Sequence, residues 1–373
     1  MKLNRYGRVA ALLGAGALAL AACGNDPTGD GGSGNSGSGG GEEASSLSGE
    51  LAAGGASSQE AAMQAWMAGF QEDNPDVTLS YDPVGSGGGV TQFIDGAYPI
   101  AGTDSALDEK EAADAEQRCG GEALHLPVYV SPIAVIYNLD GVADLQLSAD
   151  TLAQIFDGKI TKWNDPAIGE DNPDAKLPNQ NITPVHRSDE SGTTENFVDY
   201  LAAAAPDNWK HEVTGDWPVS GGQSGKGTSG LVQAVQGGNG TIGYADASQA
   251  GDLGVAKIKV GEEYVEYSPE AAAKIVEVSP RAEGVGEHNL EIELERTSTE
   301  SGVYPIVLVS YLLACPSYDD PAEGEIAKEF LSYIGGSDGQ QRAAEGAGSA
   351  PLSPQLSEDV AAAIDSIEVG SDS

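Results

Sequence analysis

The stretch His186-Arg187-Ser188-Asp189-Glu190-Ser191-Gly192-Thr193-Thr194 holds a fixed cation, a carboxylate two residues on, and a Ser-Gly-Thr helix opening. The helix is expected from about Thr193 to Ala205, stopped by Pro206. A helix N-terminus presents unpaired N–H groups and a partial positive charge, so hydroxyls and a guanidinium beside it suit a tetrahedral oxyanion. The same residues also suit an ordinary N-cap beside a surface ion pair, and this segment alone does not decide. Two other places share its character, Ala56-Ser57-Ser58 and Gly85-Ser86-Gly87-Gly88, each with a hydroxyl and small residues at a helix start.

Catalytic patterns are sparse by comparison. There is no Gly-x-Ser-x-Gly elbow and no His-Glu-x-x-His, and His125, His186, His211 and His288 lack metal-ligand spacing. Gly225-Lys226 departs from a phosphate-binding P-loop, because Gly227 follows the lysine and Ser220 stands where the first glycine belongs; a packing loop is expected. His186 is the one candidate base, with a capping or solvent-facing role expected instead. No catalytic residue, metal or cofactor is expected.

The elements that must position these residues alternate. Leu47 to Ala56 reads as a short strand entering a glycine turn, and Ser57-Ser58-Gln59-Glu60 has capping-box spacing with Ser57 as N-cap. Met63, Trp66, Met67 and Phe70 recur at helical intervals; Val77 to Tyr81 alternates as a strand; a helix is expected from Val90; and Ile100 to Thr103 is a strand running into Asp104. Strand–helix alternation with glycine at strand exits marks an α/β sheet, whose ligands sit at strand carboxyl ends. The apolar runs Leu124–Leu139 and Val303–Val309 read as two crossings between two such lobes, giving a hinged protein with a cleft. The second lobe is expected to hold Thr151–Phe156, the Arg187 segment, Leu231–Gln236 and Thr241–Tyr244, with helices at Ile326–Ile334 and Glu358–Ile367 near the C-terminus.

Residues 1–22 read as an export signal, with Lys2, Arg5 and Arg8 ahead of an apolar run that is too short to span a bilayer, which takes about 20 residues. Leu20-Ala21-Ala22-Cys23 resembles the bacterial lipobox, making Cys23 the expected lipid-bearing N-terminus and residues 23–46, rich in Gly and Ser, a flexible tether. The protein is thus expected at the outer face of the cell membrane, held by its lipid. Cleavage takes 22 of 373 residues and three cations, moving the net charge from −40 to about −43. That balance excludes nucleic acid and anionic lipid surfaces as partners. It says little against a small buried anion, because charge is screened beyond about 8–10 Å. Cys119 and Cys315 remain as an even pair in an oxidising compartment, and one disulfide between them is expected.

The chain resembles the phosphate-binding protein family of the bacterial ABC phosphate-uptake system, the PstS family, over nearly all of its mature length. The likeness rests on Gly85 to Val90, Gly102-Thr103-Asp104, Ile155 to Pro166, Arg187 to Thr193, Gly225-Lys226-Gly227 and Ile242-Gly243-Tyr244, in that order. It implies an α/β, two-lobed Venus-flytrap fold of the type II periplasmic-binding class that closes on dehydrated inorganic phosphate. The lobes are expected at 47–128, 129–304 and 305–373, the first and last forming lobe I. By position, Ser57, Ser58, Ser86 and Asp104 match ligand positions of the first lobe. Arg187, Ser191, Gly192 and Thr193 match those of the second, and Asp189 matches the carboxylate that orients the arginine. Ser57-Ser58 stands where the family often has Thr-Phe, and Glu190 where it often has glycine. The resemblance also implies a permease and an ATPase as partners, and a monomer is expected. Binding of another tetrahedral oxyanion such as sulfate or molybdate is the first alternative, and action on a phosphate ester the second.

Overall fold

The computed structural model describes residues 47–370; the expected export signal, the expected lipid-bearing Cys23 and the expected tether lie outside the described residues. The chain opens with strand–helix alternation: β1 (Gly49–Gly55), α1 (Glu60–Asp73), β2 (Val77–Asp82), α2 (Ser86–Ile94), β3 (Ile100–Thr103) and α3 (Glu109–Cys119). A long strand, β4 (Leu124–Asn138), leads to β5 (Gln146–Leu147), α4 (Ala149–Phe156), α5 (Pro166–Asp171), β6 (Thr183–Arg187) and α6 (Gly192–Ala204). Next come β7 (Gln223–Gly225), α7 (Gly227–Gln236), β8 (Thr241–Asp246), β9 (Gly254–Val255), β10 (Lys257–Val260), β11 (Glu263–Val265) and α8 (Pro269–Val278). The chain returns through β12 (Val307–Ala314) and β13 (Ser317–Tyr318), and closes with α9 (Pro321–Gly335), α10 (Ser337–Ala347), α11 (Pro354–Asp365) and β14 (Glu368–Val369).

One continuous sheet runs in the order β2-β1-β3-β12-β4-β8-β6-β7. Its flanks, β2-β1-β3 and β8-β6-β7, are parallel, as βαβ connections require. The centre is antiparallel, and there β4 changes partner: Leu124 to Pro132 pair with β12, whereas Ile133 to Asn138 pair with β8. Helices α7, α8 and α11 pack on β4 and cover its faces, so it is buried almost throughout and reads as one apolar run. The two runs anticipated as crossings are therefore neighbours in one ladder, joined where Ile133 N donates to Ile306 O. Cys119, at the end of α3, is disulfide-bonded to Cys315, just beyond β12, as expected.

Each flank has its own aromatic core. Trp66 packs edge-on against Tyr129 and Phe70 against Phe330 on one side; Phe156, Phe197 and Tyr244 pack together on the other. Helix α1 forms because Ala62, Met63, Trp66 and Phe70 make one buried stripe.

Two local expectations need correction, and one helix was not anticipated. The Ser57 capping box is absent: Gln59 is the N-cap of α1 and caps with no side chain, because the Ser57 hydroxyl is engaged with Thr228. Helix α2 starts at Ser86, so the glycines lie inside its first turn rather than in a loop before Val90. A true capping box, Asp108 with Glu111, opens α3, a helix the sequence reading passed over.

Candidate functional site

Four helices open toward one point. Helices α1 and α2 follow β1 and β2, and α6 and α7 follow β6 and β7, all at strand carboxyl ends on the two flanks of the sheet. Gly85, at φ 100°, lets the chain turn from β2 into α2, a conformation that side-chain-bearing residues rarely adopt. Gly192 is needed for a different reason: a Cβ there would stand 2.8 Å from the Asp104 Cβ and 2.9 Å from the Ser86 Oγ. The first turn of α6 thus rests directly on the end of β3.

Asp104 is the centre of the cluster and is 3% exposed. Its Oδ1 accepts from Ser58 Oγ at 2.6 Å and Ser310 Oγ at 2.5 Å, and its Oδ2 accepts from Thr193 Oγ1 at 2.7 Å. An ionised carboxylate accepts at about four lone-pair sites and donates at none, so three hydroxyls leave room for one more donor. The Asp104 N–H donates to Ser86 Oγ at 3.2 Å, which keeps the Ser86 hydroxyl hydrogen free to donate elsewhere. Ser191 caps α6 by accepting from Thr194 N, and among the described residues the N–H groups of Gly192 and Thr193 have no acceptor.

Arg187 ends β6 and is 3% exposed. It grips Asp189 through both prongs, Nε to Oδ1 at 2.9 Å and Nη2 to Oδ2 at 2.6 Å, which fixes the guanidinium plane. Asp189 Oδ1 also accepts from Gly227 N at 3.0 Å, at the start of α7. Burial works to raise the Asp189 carboxyl, but Arg187 and the Gly227 N–H outweigh it and hold the group below its ordinary value. Ser57 accepts from Thr228 N at 3.0 Å and shares a 2.9 Å contact with Thr228 Oγ1, tying α1 to α7.

All nine residues singled out for this site, Asp189 included, therefore come together. His186 does not join them as a base: its ring bonds to the carbonyls of Arg187 and Gly221 and stacks on Trp217. The sequence reading missed Ser310, Gln59, Gly227 and Thr228. Ser310 had a signal, as the lone small hydroxyl in the otherwise apolar run of β12. It accepts from Gln59 Nε2 at 2.6 Å, which directs its own hydrogen to Asp104. Gly227 and Thr228 sit in the loop assigned to packing; they are the helix opening that completes the ring.

The chain matches a PBP superfamily domain over residues 40–337. It is 37% identical over 345 residues to phosphate-binding protein PstS 3 of Mycobacterium leprae, covering 90% of this chain and 92% of that one. It is 34% identical over 382 residues to phosphate-binding protein PstS 2 of Mycobacterium tuberculosis, covering 98% of this chain and all of that one. The chain belongs to the PstS family. The crystal structure of a phosphate-binding protein from Stenotrophomonas maltophilia shares the fold, with a TM-score of 0.64 at 20% identity over 84% of this chain and 94% of that one.

Within this PstS chain, Glu190 is the residue whose direction the sequence left open. Its carboxylate packs against Gly87 of α2 and Gly215, lining a cleft of about 450 Å³ with Glu111 and Glu195. Burial first, then repulsion from Glu111, Glu195 and Asp216, pushes its pKa up to about 7. An acid raised in the folded state binds more protons folded than unfolded, so its effect is to lower stability as pH rises from about 4.5 to about 7. Glu190→Gln is accordingly expected to stabilise the protein at pH 8 by about 1–2 kcal/mol, the gain vanishing below about pH 4.5. Thermal melts of both proteins across that range check it.

Proposed function

We propose that this protein is the extracytoplasmic solute-binding component of an ABC transporter, capturing inorganic phosphate between two lobes and delivering it to a permease. Asp104 carries the reading. It is a buried acceptor-only group set among hydroxyls, helix N-termini and a fixed arginine, an arrangement that favours an anion still bearing a proton. HPO₄²⁻ and H₂PO₄⁻ have that proton, whereas sulfate at neutral pH does not. The names of the mycobacterial relatives agree with this assignment.

In this reading Ser57, Ser58, Ser86 and Asp104 contact phosphate from lobe I, and Arg187, Ser191, Gly192 and Thr193 from lobe II, with Asp189 orienting the arginine. The lobes are 47–128 with 305–373, and 129–304; the change of ladder partner at Pro132/Ile133 and the start of β12 fall within a few residues of these boundaries. No helix among the described residues is long and apolar enough to cross a membrane, and membrane attachment is assigned to a lipid on Cys23. The protein acts as a monomer that meets the permease and its ATPase, and it turns over no substrate.

Calorimetric titration of the mature protein tests the proposal. Phosphate and arsenate, both protonated and tetrahedral, are expected to bind, with sulfate weaker by at least about a hundredfold. Equal binding of sulfate and phosphate at pH 7 overturns it, as does hydrolysis of a chromogenic phosphate ester.

A further inference from the structure

Arg296 belongs to none of the motifs above. It lies between α8 and β12, is 6% exposed, and uses all three guanidinium nitrogens. Nε donates to Asp199 Oδ2 at 2.8 Å, Nη1 to Val307 O at 2.6 Å, and Nη2 to Asn196 Oδ1. Two of these acceptors are on α6 and the third is the first residue of β12, beside the place where β4 changes partner. Asn196 is itself 7% exposed, and its Nδ2 donates to Asp104 O at 2.6 Å and Gly192 O at 2.9 Å.

An amide side chain has one accepting end and one donating end, and a guanidinium only donates. Arg296 therefore requires the Asn196 oxygen to face it, which turns the NH₂ toward the two carbonyls. Without the guanidinium the buried Oδ1 loses its donor, and only the two carbonyls remain to hold the amide in this orientation.

We propose that Arg296 and Asn196 act as a positioning relay for anion binding. Arg296 fixes the polarity of the Asn196 amide, and Asn196 ties the Asp104 peptide of lobe I to the first turn of α6 in lobe II. The relay rests on the phosphate-binding reading and touches the anion only through Asp104 and Gly192. The hydrogen bond that the Asn196 amide donates to the Asp104 carbonyl crosses between the lobes, so it stabilises the closed form and slows anion release.

Asn196→Asp isolates the effect, because Arg296 keeps a partner while an acceptor replaces the donor facing Asp104. Its phosphate Kd is expected to rise about tenfold or more, with faster release. Arg296→Met and Asn196→Ala are each expected to weaken binding about tenfold, and the double variant no more than Asn196→Ala alone. A wild-type Kd for Asn196→Asp, or additive losses in the double variant, overturns the relay. Should Arg296→Met fail to fold, the two Asn196 variants decide. A wild-type protein that binds sulfate in place of phosphate overturns the functional reading while the same variants, titrated with sulfate, still judge the relay. Binding of no tetrahedral oxyanion overturns both.

Discussion

Asp104→Asn is expected to lower the phosphate-over-sulfate affinity ratio by at least about tenfold while leaving the protein folded. The carboxylate accepts from three hydroxyls, Ser58, Ser310 and Thr193, and the amide replaces one accepting oxygen by a donor. If the NH₂ takes the Oδ2 position, Thr193 loses its acceptor and the amide instead donates toward whatever anion is bound. That penalises a protonated oxyanion and relieves sulfate, which then meets a donor where it had met a charge of its own sign. In the opposite amide orientation, with the NH₂ at Oδ1, Ser310 keeps a second acceptor within reach, the Thr103 carbonyl at 3.3 Å. Paired titrations with phosphate and sulfate at pH 7 measure the ratio. An unchanged ratio removes Asp104 from the anion site.

The largest loss is expected from Arg187→Met, with phosphate affinity falling by at least about a hundredfold. The substitution removes the one buried cation of the cluster and leaves Asp189 half-buried with only the Gly227 N–H as partner. Breaking a buried pair from one side costs about 3–5 kcal/mol, so stability should fall as well. Asp189 sits below its ordinary pKa in the intact protein, so its contribution is present above about pH 4 and is lost as pH falls through the lowered value. In Arg187→Met that acid-side dependence should shrink. The double variant Arg187→Met/Asp189→Asn separates the two effects: it is expected to recover much of the stability and none of the affinity. Recovery of phosphate binding in the double variant would show that the arginine serves only to neutralise its neighbour.

Much of this site was legible because its parts are local. Ser191-Gly192-Thr193 is a cap followed by small residues, and Arg187 and Asp189 lie two apart on one turn, so a few residues of sequence hold the whole physical signal. The two long buried strands were legible for the same reason, since a strand covered on both faces is apolar along its length. Ser57 misled because a serine three residues before a glutamate looks the same whether its hydroxyl caps its own helix or reaches another one. The reach to Thr228 spans 171 residues, beyond any local pattern. Gly227 and Thr228 read as a packing loop because the P-loop pattern around Lys226 is broken, whereas their N–H groups serve Asp189 and Ser57.

The sequence by itself determined the alternating α/β pattern, the two long apolar strands, the cysteine pair and the candidate residues for an oxyanion site. All of these follow from periodicity, turn chemistry and side-chain type over short spans. Tertiary structure decided what Asp104 is. Its three hydroxyl donors come from positions 46, 89 and 206 residues away. They meet because β12 pairs antiparallel with β3, Tyr311 opposite Thr103, and because Gly192 lets α6 settle against Asp104. Sheet register and the close approach of two backbones, neither of which a local stretch of residues encodes, turn a carboxylate at a strand end into the centre of the site.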